Sequence, residues 1–269
     1  MFNSKQYYHY LDIIQNLEYD SQDHWDVFDD LYYEKIKDFN CMKNFRSNGL
    51  SNMLETGLPS QEREAALKGK NYDTEYNLNE KEEIVSRFEE LRIMLKDDLE
   101  KIQFTAPVGN PRSYTHTFNN RQYLLNFDDL YHVYSAWQLK RVIDFLLDKD
   151  KINSILEIGG GYGNLANKMK LLFKDAKYII VDLPEVLLTQ HYYLSENNPS
   201  YKILNLLDHN NISDLDLENM EYDVLLVPFG KHELLNMKYD VVINTRSFGE
   251  MPKQVLENYF DWIQKNINQ

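Results

Sequence analysis

Two carboxylates and a cluster of glycines stand close together in the middle of the chain. Glu157 lies within a short apolar segment, and Asp182 ends a second one. Between them lie four glycines: Gly159, Gly160, Gly161 and Gly163. Glycines let a backbone approach a ligand closely, and a carboxylate nineteen residues after the last glycine could accept hydrogen bonds from both hydroxyls of a ribose. These residue types and their spacing predict a site for a nucleotide.

The surrounding segments predict a strand, a glycine turn and a helix. Ile155, Leu156 and Ile158 form a short apolar run flanked by polar residues, which is typical of a buried parallel strand. After the glycines, apolar side chains from Leu165 to Leu172 recur at helical spacing. Residues 177–181 are a second apolar strand, and Pro184 suits the first turn of the next helix. This order is the first part of a Rossmann-like unit.

The glycine spacing distinguishes between classes of nucleotide site. The dinucleotide fingerprint G-x-G-x-x-G, begun at Gly159, requires glycine or alanine at position 164, where the chain has Asn164. Begun at Gly160, the fingerprint places Tyr162 in its second glycine position. The Lys-Ser/Thr pair of a P-loop is absent as well. The spacing therefore argues against a nicotinamide-dependent oxidoreductase, which is the weaker alternative.

Further strands are predicted along the C-terminal half. Residues 222–227 and 239–244 are apolar strands, and residues 201–207 are either a strand or an ordered loop. Ligands of open α/β sheets lie outside the carboxyl ends of the strands, so these ends should converge. We predict an α/β fold in which residues 151–269 form a Rossmann-like sheet. The converging strand ends would carry the glycine turn, Asp182, Leu183, Pro228, Phe229 and residues 244–250.

Residues 1–150 predict a mainly helical portion that packs against the sheet and forms a substrate or lid region. Three apolar stripes at helical spacing are expected to be core: Trp25 to Phe39, Ile84 to Ile102 and Leu130 to Phe145. Asn79 is the expected N-cap of the second helix. Two non-helical stretches, residues 44–57 and 105–121, interrupt the helices. The second gathers polar side chains that suit either a binding loop or a solvated connection.

Five segments distributed along the chain carry a family resemblance. They are FRSNGLS near residue 45, GNP at residues 109–111, LEIGGGYGNLA, VDLPE and DVVINTRSFGEM. Together they resemble the sugar O-methyltransferase family, within the class I methyltransferases that depend on S-adenosyl-L-methionine (SAM). The resemblance covers the chain from about residue 40 onward. It implies SAM as the methyl donor and a sugar hydroxyl as the acceptor, in the synthesis of a bacterial surface glycan such as a capsule polysaccharide.

By this resemblance, the glycine turn surrounds the amino-acid part of SAM and Glu157 helps to hold its ammonium group. The expected cofactor-binding residues are Glu157, Gly159, Gly160, Gly161, Gly163, Asp182, Leu183, Pro228 and Asn244. The expected substrate-binding residues are Asn110, Arg112, Arg246 and Ser247. Arg112 and Arg246 could each bind a phosphate on a phosphate- or nucleotide-linked acceptor, or form ordinary surface ion pairs.

Methyl transfer to an alcohol requires removal of the hydroxyl proton, so a base should lie near the strand ends. Glu250, in the segment NTRSFGEM, is the first candidate, and it could equally bind sugar hydroxyls or cap the next helix. His116 and His232 are the alternatives, since a neutral imidazole suits this task near pH 7. The other histidines lie in no motif and receive no assignment: His9, His24, His132, His191 and His209.

Composition narrows the class of protein further. The formal net charge is −14 with no basic stripe, which opposes binding to DNA or RNA. The single cysteine, Cys41, excludes an internal disulfide, and no Cys/His cluster has zinc spacing. We predict no metal site; the weaker alternative is a metal bound by the acidic residues Asp214, Asp216 and Glu218. No segment is long and apolar enough to span a bilayer. Residues 1–10 lack the apolar core of a signal peptide, so we expect a cytoplasmic protein.

The C-terminal end departs from the family pattern. Class I methyltransferases usually continue into a fifth strand and a closing hairpin, whereas this sequence stops at Gln269 as the helix after the fourth strand ends. We expect either a short sheet that lacks the last strands or a truncated member. A short sheet leaves an apolar edge that the N-terminal helices, or a second subunit in a homodimer, could cover. The corresponding alternative function is a non-catalytic binding or partner protein.

Overall fold

The computed structural model describes residues 2–17, 32–47, 50, 76–147, 152–209, 211–235 and 237–268. The labelled helices are α1 (Ser4–Gln15), α2 (Phe39–Lys43), α3 (Leu78–Leu95), α4 (Phe127–Leu146), α5 (Asn164–Leu172), α6 (Pro184–Asn197) and α7 (Lys253–Asn266). The strands are β1 (Tyr114–Phe118), β2 (Arg121–Leu125), β3 (Ser154–Ile158), β4 (Lys177–Asp182), β5 (Ile203–Asn205), β6 (Val224–Pro228) and β7 (Val241–Ile243). The part of the first predicted stripe from Trp25 to Leu31, and most of residues 44–57, lie outside the described residues.

Five strands form one parallel sheet in the order β5-β6-β4-β3-β7. The strand β3 pairs with β4 on one side and with β7 on the other. In this register Ile158 lies beside Val181, and Asp182 lies beside Pro228. The carboxyl ends of β3, β4, β6 and β7 therefore lie along one edge of the sheet. The predicted α/β class and Rossmann-like sheet are confirmed.

The central strands are apolar throughout because helices cover both faces of the sheet. Ile155 and Ile180 face a core that includes residues of α1 and α6. Leu156 and Ile179 face a second core, which includes Trp262 of α7. Neighbouring residues of one strand thus enter different cores, as the two-residue period of a strand requires.

The structure shows what borders the two outer strands. The segment 201–207 contains β5, which lies at one edge beside β6. At the other edge, Tyr239 lies two residues before β7. Its N–H donates to the carbonyl of Asn266, and the N–H of Asn268 donates to the carbonyl of Tyr239, both at 2.8 Å. The segment that follows α7 therefore covers the start of this edge, a role that we expected the N-terminal helices or a second subunit to fill.

The described part of residues 1–150 packs on the sheet domain in two places. Helix α1 lies on α6, where the rings of Phe2 and Tyr10 are 4.5 and 5.3 Å from the ring of His191. The elements α3, β1, β2 and α4 share a separate apolar cluster, which includes Phe88 and Tyr123. Helix α4 joins this cluster to α5. The cluster of α3, β1, β2 and α4 therefore lies next to the glycine turn that precedes α5.

Part of the polar stretch 105–121 forms an antiparallel hairpin of β1 and β2. Phe118 and Arg121 are paired across the turn. The two turn residues, Asn119 and Asn120, have φ angles of 48° and 60°. Two consecutive positive φ angles are those of the two-residue turn that matches strand twist, and asparagine tolerates this conformation better than most residues with a side chain.

Helix α3 begins and ends earlier than its sequence pattern predicts. Its N-cap is Asn77 and not Asn79, because Asn77 Oδ1 accepts from Glu80 N and the Glu80 carboxylate accepts from Asn77 N. This reciprocal pair is a capping box. The helix ends at Leu95, whose successor Lys96 has a φ of 47°, before the predicted end of the stripe.

The prediction that the apolar stripe from Leu130 to Phe145 is the buried face of α4 is wrong for most of its residues. The buried face is formed by Leu130, Val133, Ala136 and Ile143. The residues Tyr131, Tyr134, Val142 and Phe145 are exposed. Large aromatic residues suggested the wrong face, because tyrosine is apolar enough for a core and polar enough for a surface.

The carboxylate of Asp129 lies completely buried between two buried cations. Its Oδ2 accepts a hydrogen bond from Arg46 Nη2, and its Oδ1 lies 3.0 Å from Lys168 Nζ. Arg46 Nη1 also donates to the carbonyl of Ala106 at 2.8 Å, and Lys168 Nζ donates to the carbonyl of Gln103 at 2.6 Å. Buried charges require paired and hydrogen-bonded partners. The cluster therefore joins the N-terminal segment, the loop before β1 and helix α5 to helix α4.

We expect Asp129→Asn to lower the free energy of unfolding by about 3–5 kcal/mol, because the substitution leaves two buried cations without their counter-charge. Equilibrium unfolding in urea measures the loss. The matched control is Asp144→Asn on the same helix, whose carboxylate pairs with Lys140 at the surface and should contribute little. Equal stabilities of the two variants would contradict the structural role of Asp129.

Candidate active site

The glycine turn joins β3 to α5 at the edge where the strands end. Gly159 has a φ of 72°, and its N–H donates to the carbonyl of Val181 at 2.9 Å. A Cβ atom built on Gly159 would lie 2.1 Å from Ser247 Oγ. Glycine is therefore required here both by the backbone conformation and by the close approach of the loop that follows β7.

Asp182 ends β4 with its carboxylate against the glycine turn. Its Oδ2 accepts hydrogen bonds from Gly160 N at 2.9 Å and from Gln190 Nε2 at 2.8 Å. Its Oδ1 accepts from Leu183 N at 2.9 Å. Burial raises the pKa of Asp182 to about 7, although these hydrogen bonds oppose the rise. Because a carboxylate oxygen can accept two hydrogen bonds, Oδ1 retains capacity for a ligand hydroxyl.

The carboxylate of Glu157 is almost completely buried next to the glycine turn. Its Oε2 accepts a hydrogen bond from the hydroxyl of Tyr178 at 2.9 Å, whereas Oε1 has no hydrogen-bond partner in the described part of the chain. Burial raises the pKa of Glu157 to about 7, although the Tyr178 hydrogen bond and the charge of His132 lower it. A nearby cation favours the ionised form of such a carboxyl group, so the site fits a positively charged ligand.

The loop after β7 is fixed to the last carbonyl of β3. Asn244 Nδ2 and Ser247 Oγ donate to the carbonyl of Ile158 at 2.8 and 3.0 Å. Asn244 and Ser247 therefore hold the loop in place. Arg246 extends toward α4, where its guanidinium carbon lies 5.2 Å from the ring centre of Tyr131.

Leu183 and Pro228 lie at the same edge. Leu183 is the N-cap residue of α6 and is partly exposed, whereas Pro228 is buried beside Asp182. The N–H of Phe229 donates to the carbonyl of Asp182 at 2.8 Å. The structure thus brings together all four strand ends that the sequence predicts to converge, including the complete set of glycines.

Two of the predicted bases, Glu250 and His232, differ in their access to this edge. Glu250 ends the 3₁₀ turn Ser247–Glu250 and is partly exposed. His232 is buried, with its ring stacked 4.7 Å from that of Tyr259, and burial lowers its pKa to about 4. An imidazole enclosed in this way stays neutral near pH 7, and His232 is surrounded by the rings of Phe229, Tyr259 and Trp262.

The other predicted site residues lie before β3 and have local partners. Arg112 forms an ion pair with Glu80 at 2.7 Å, His116 Nε2 lies 3.9 Å from Glu89 Oε1, and Asn110 Nδ2 donates to Asn44 Oδ1 at 3.2 Å. The contacts of Arg112 and His116 place them beside α3 and not at the strand ends. Asn110 belongs to a turn that packs on the segment after α2, where Gly109 accepts a hydrogen bond from Arg46 N at 2.9 Å.

Sequence reasoning missed a polar network on the other side of the glycine turn. Asp128 and His132, one helical turn apart on α4, face Tyr162 and Asn164. The Tyr162 hydroxyl donates to Asp128 Oδ2, and Asn164 Nδ2 lies 3.2 Å from His132 Nδ1. An acid and a histidine four residues apart on a predicted helix are the signal that could have identified this pair.

Within the described ranges, no three His, Cys, Asp or Glu side chains are grouped so that they could hold a metal ion. The same part of the chain contains no helix with the length and apolarity needed to cross a membrane.

We expect Gly159→Ala to destabilise the protein more than Gly230→Ala. Both positions have positive φ angles, 72° and 82°, so each alanine carries backbone strain. A Cβ at position 230 meets no atom within 4 Å, whereas a Cβ at position 159 collides with Ser247. Thermal and urea unfolding measure the difference. Adding Ser247→Gly should restore part of the stability that Gly159→Ala removes, and equal stabilities of the two single variants would contradict the close approach.

A comparison with protein families connects this edge to a known class of enzyme. A family model described as the O-methyltransferase domain matches residues 88–203, which run from α3 to the start of β5 and include the glycine turn and Asp182. No curated protein matches the chain at a significant level. Members of the matched family use SAM. Over this span the chain is similar to O-methyltransferases, and the match supports methyl transfer to oxygen as its general activity.

Proposed function

We propose that this protein transfers a methyl group from SAM to a hydroxyl of a sugar or sugar-derived molecule. The observation that carries the proposal is that the O-methyltransferase match includes the edge formed by Glu157, the glycine turn and Asp182. The sugar acceptor is supported by the resemblance of FRSNGLS, GNP and DVVINTRSFGEM to sugar O-methyltransferases. The acceptor would belong to the synthesis of a bacterial surface glycan and could carry a phosphate or nucleotide.

The chemistry of the edge fits SAM. When bound, SAM supplies an activated methyl group on a positively charged sulfur. Glu157, with its open Oε1, would attract the ammonium group. Asp182 would accept hydrogen bonds from the ribose hydroxyls through Oδ1. The glycine turn would allow the backbone to lie against the amino-acid part.

The loop after β7 would position the acceptor. In-line displacement requires the acceptor oxygen to be held in one orientation, which a fixed loop favours. Asn244 and Ser247 hold this loop on the carbonyl of Ile158. The neighbouring Arg246 and Glu250 would contact the acceptor. Arg246 suits a phosphate group, and Glu250 can accept hydrogen bonds from sugar hydroxyls.

Exposed aromatic surface next to this loop supports a sugar acceptor. Tyr131 is 42% exposed and lies under Arg246. An aromatic ring offers an apolar face to the C–H groups of a sugar, while its hydroxyl can hydrogen-bond the sugar rim. Tyr131 is therefore the side chain of α4 best placed to contact the ring of the acceptor.

We expect SAM and S-adenosylhomocysteine, but not NADH or NADPH, to raise the midpoint of thermal unfolding. A ligand at ~100 times its dissociation constant that binds only the folded state stabilises it by about 2.7 kcal/mol. Scanning fluorimetry with the four ligands in parallel measures the shift, and Asp182→Ala should abolish it. A shift with the nicotinamides alone would overturn the proposed cofactor. Release of S-adenosylhomocysteine in the presence of nucleotide sugars and glycan precursors then identifies the acceptor.

We expect the affinity for SAM to rise with pH and to level off above about pH 7. The pKa values of Glu157 and Asp182 are raised to about 7 in the free protein, so both groups are protonated at lower pH. A cationic ligand favours their ionised forms, and its binding therefore releases protons. Calorimetry in buffers of different ionisation enthalpy measures this release. Glu157→Gln should weaken binding and flatten the pH dependence, whereas a pH-independent affinity of the unaltered protein would contradict the role of these carboxylates.

A further inference from the structure

We propose that His132 accepts the proton of the acceptor hydroxyl and that Asp128 positions its imidazole. This inference rests on the proposed methyl transfer and names the base for that reaction. Neither residue belongs to the segments that carry the family resemblance. The inference is carried by three features of the structure: the geometry of the pair, its place beside the glycine turn and the charges around it.

Asp128 and His132 form an oriented acid–imidazole pair. His132 Nδ1 lies 3.0 Å from Asp128 Oδ1 and 2.9 Å from the backbone carbonyl of the same residue. Both atoms are acceptors and lie closer to Nδ1 than the amide nitrogen Asn164 Nδ2 does at 3.2 Å, so we assign the proton to Nδ1, which leaves the lone pair of the neutral imidazole on Nε2. Among the described residues, Nε2 has no hydrogen-bond partner. A histidine held by a carboxylate through one nitrogen is the arrangement of a general base.

The pair lies between the two parts of the proposed site. On one side, the imidazole is 6.2 Å from the ring centre of Tyr162, and its Nδ1 is 3.2 Å from Asn164 Nδ2, at the end of the glycine turn. On the other side, the preceding residue, Tyr131, lies under Arg246 of the loop after β7. Helix α4 thus spans from the turn proposed to bind the methyl donor to the loop proposed to bind the acceptor.

Asp128 is held in its ionised form by its surroundings. The hydroxyl of Tyr162 donates to Oδ2, and Arg46 Nη2 lies 3.4 Å from the same oxygen. Burial opposes ionisation, but the charges of His132 and Arg46 hold the pKa of Asp128 well below its usual range. A carboxylate that stays ionised can stabilise the imidazolium formed when His132 takes up a proton.

Several charged or titratable groups decide when His132 is neutral. Those around the pair are Asp128 and Asp129 on α4, Arg46, Tyr162 in the glycine turn, Glu157 on β3 and Lys168 on α5. Burial lowers the pKa of His132, but the charge and hydrogen bonds of Asp128 together with the charge of Asp129 raise it more, so the net shift is upward. A positively charged sulfur nearby opposes this shift, because like charges disfavour the protonated imidazole.

The reaction step balances with His132 as the acceptor of the proton. The acceptor oxygen forms its new bond to the methyl carbon while the carbon–sulfur bond breaks, and that electron pair stays on sulfur. The hydroxyl proton passes to His132 Nε2, which becomes an imidazolium paired with Asp128. Glu250 then serves the acceptor as a hydrogen-bonding group, which is one of the two other roles predicted for it from the sequence.

The decisive variant is His132→Asn, since its amide retains a polar group near the position of Nδ1 but removes the basic Nε2. We expect kcat to fall by about 10²–10⁴-fold, the usual contribution of general-base catalysis, with the Kd for S-adenosylhomocysteine nearly unchanged. The matched control is His9→Asn, because His9 Nε2 also lies 2.9 Å from a carboxylate, that of Asp208, but on the surface of α1. That variant should retain the activity of the unaltered protein.

The pH profile separates a chemical role from a structural one. The kcat of the unaltered protein should decrease as the pH falls through the pKa of His132. Asp128→Asn removes the charge that raises this pKa, so the acid limb should move to lower pH while the maximal rate falls. A loss of packing would lower the rate without moving the limb, and that result would overturn the role of Asp128.

A titration by NMR tests His132 without any acceptor. The His132 ring signal, identified by its loss in His132→Asn, should titrate at lower pH in the complex with SAM than in the complex with S-adenosylhomocysteine, whose sulfur is uncharged. Equal pKa values in the two complexes would overturn the assignment. Methyl transfer that is undiminished in His132→Asn would also overturn it, while leaving the proposed function intact. Failure of the unaltered protein to bind either ligand would refute the proposed function itself, and the role of His132 with it.

Discussion

Asp129 places one negative charge between the buried cations of Arg46 and Lys168, and this contact determines how the N-terminal portion meets the sheet. A buried cation without a partner costs several kcal/mol, so each of these groups depends on the others. Arg46 belongs to the N-terminal segment, Asp129 to α4 and Lys168 to the helix that follows the glycine turn. Three distant parts of the sequence are therefore joined at one point. The residue that precedes Asp129, Asp128, belongs to the same cluster, because its Oδ2 lies 3.4 Å from Arg46 Nη2 and accepts a hydrogen bond from the Tyr162 hydroxyl.

Charge is distributed differently a short distance away, at the ends of the strands. Glu157 and Asp182 are also enclosed by the protein, but neither forms an ion pair with lysine or arginine within the described part of the chain. Burial consequently raises the pKa of each to about 7, whereas Asp128 stays ionised among its cations. A cationic ligand would supply the missing charge. Both groups of carboxylates are enclosed, so burial alone does not distinguish them. The structural cluster around Asp129 contains its own cations, whereas the carboxylates of the candidate binding site have no paired lysine or arginine among the described residues.

At the ends of β3 and β7, residues that were expected to contact ligands also fix the position of the backbone. Asn244 and Ser247 were expected to contact ligands, yet both donate to the carbonyl of Ile158 and so fix the loop after β7. Gly159 permits this contact because a Cβ atom would occupy the space of Ser247. The residues that we propose to contact an acceptor, Arg246 and Glu250, are neighbours of Asn244 and Ser247 in the same loop. In the proposed site, neighbouring residues of one short segment would therefore divide two roles: fixing the loop and recognising the acceptor.

Some errors of sequence reasoning have a common physical origin. The stripe at helical spacing predicts a helix in the region of α4, but Tyr131 and Phe145 are exposed where their apolar character predicts core. Helical spacing shows which residues share a face, and only the neighbouring elements decide which face is covered. The hairpin of β1 and β2 was missed because its turn depends on two left-handed asparagines in a stretch that reads as polar. His116 and Arg112 were grouped with the site by composition, whereas the fold places them beside α3.

The sequence by itself determined the α/β class, the glycine turn and the alignment of Asp182 and Asn244 with that turn. These features follow from local apolar patterns and from the geometry of parallel strands, whose carboxyl ends must meet at one edge. Only the tertiary structure decided that Asp128 and His132 face Tyr162, that His232 is enclosed by aromatic rings and that Glu157 keeps one oxygen open. Those properties depend on contacts between segments far apart in the chain, because burial and neighbouring charges, and not residue type, set the protonation and access of each group.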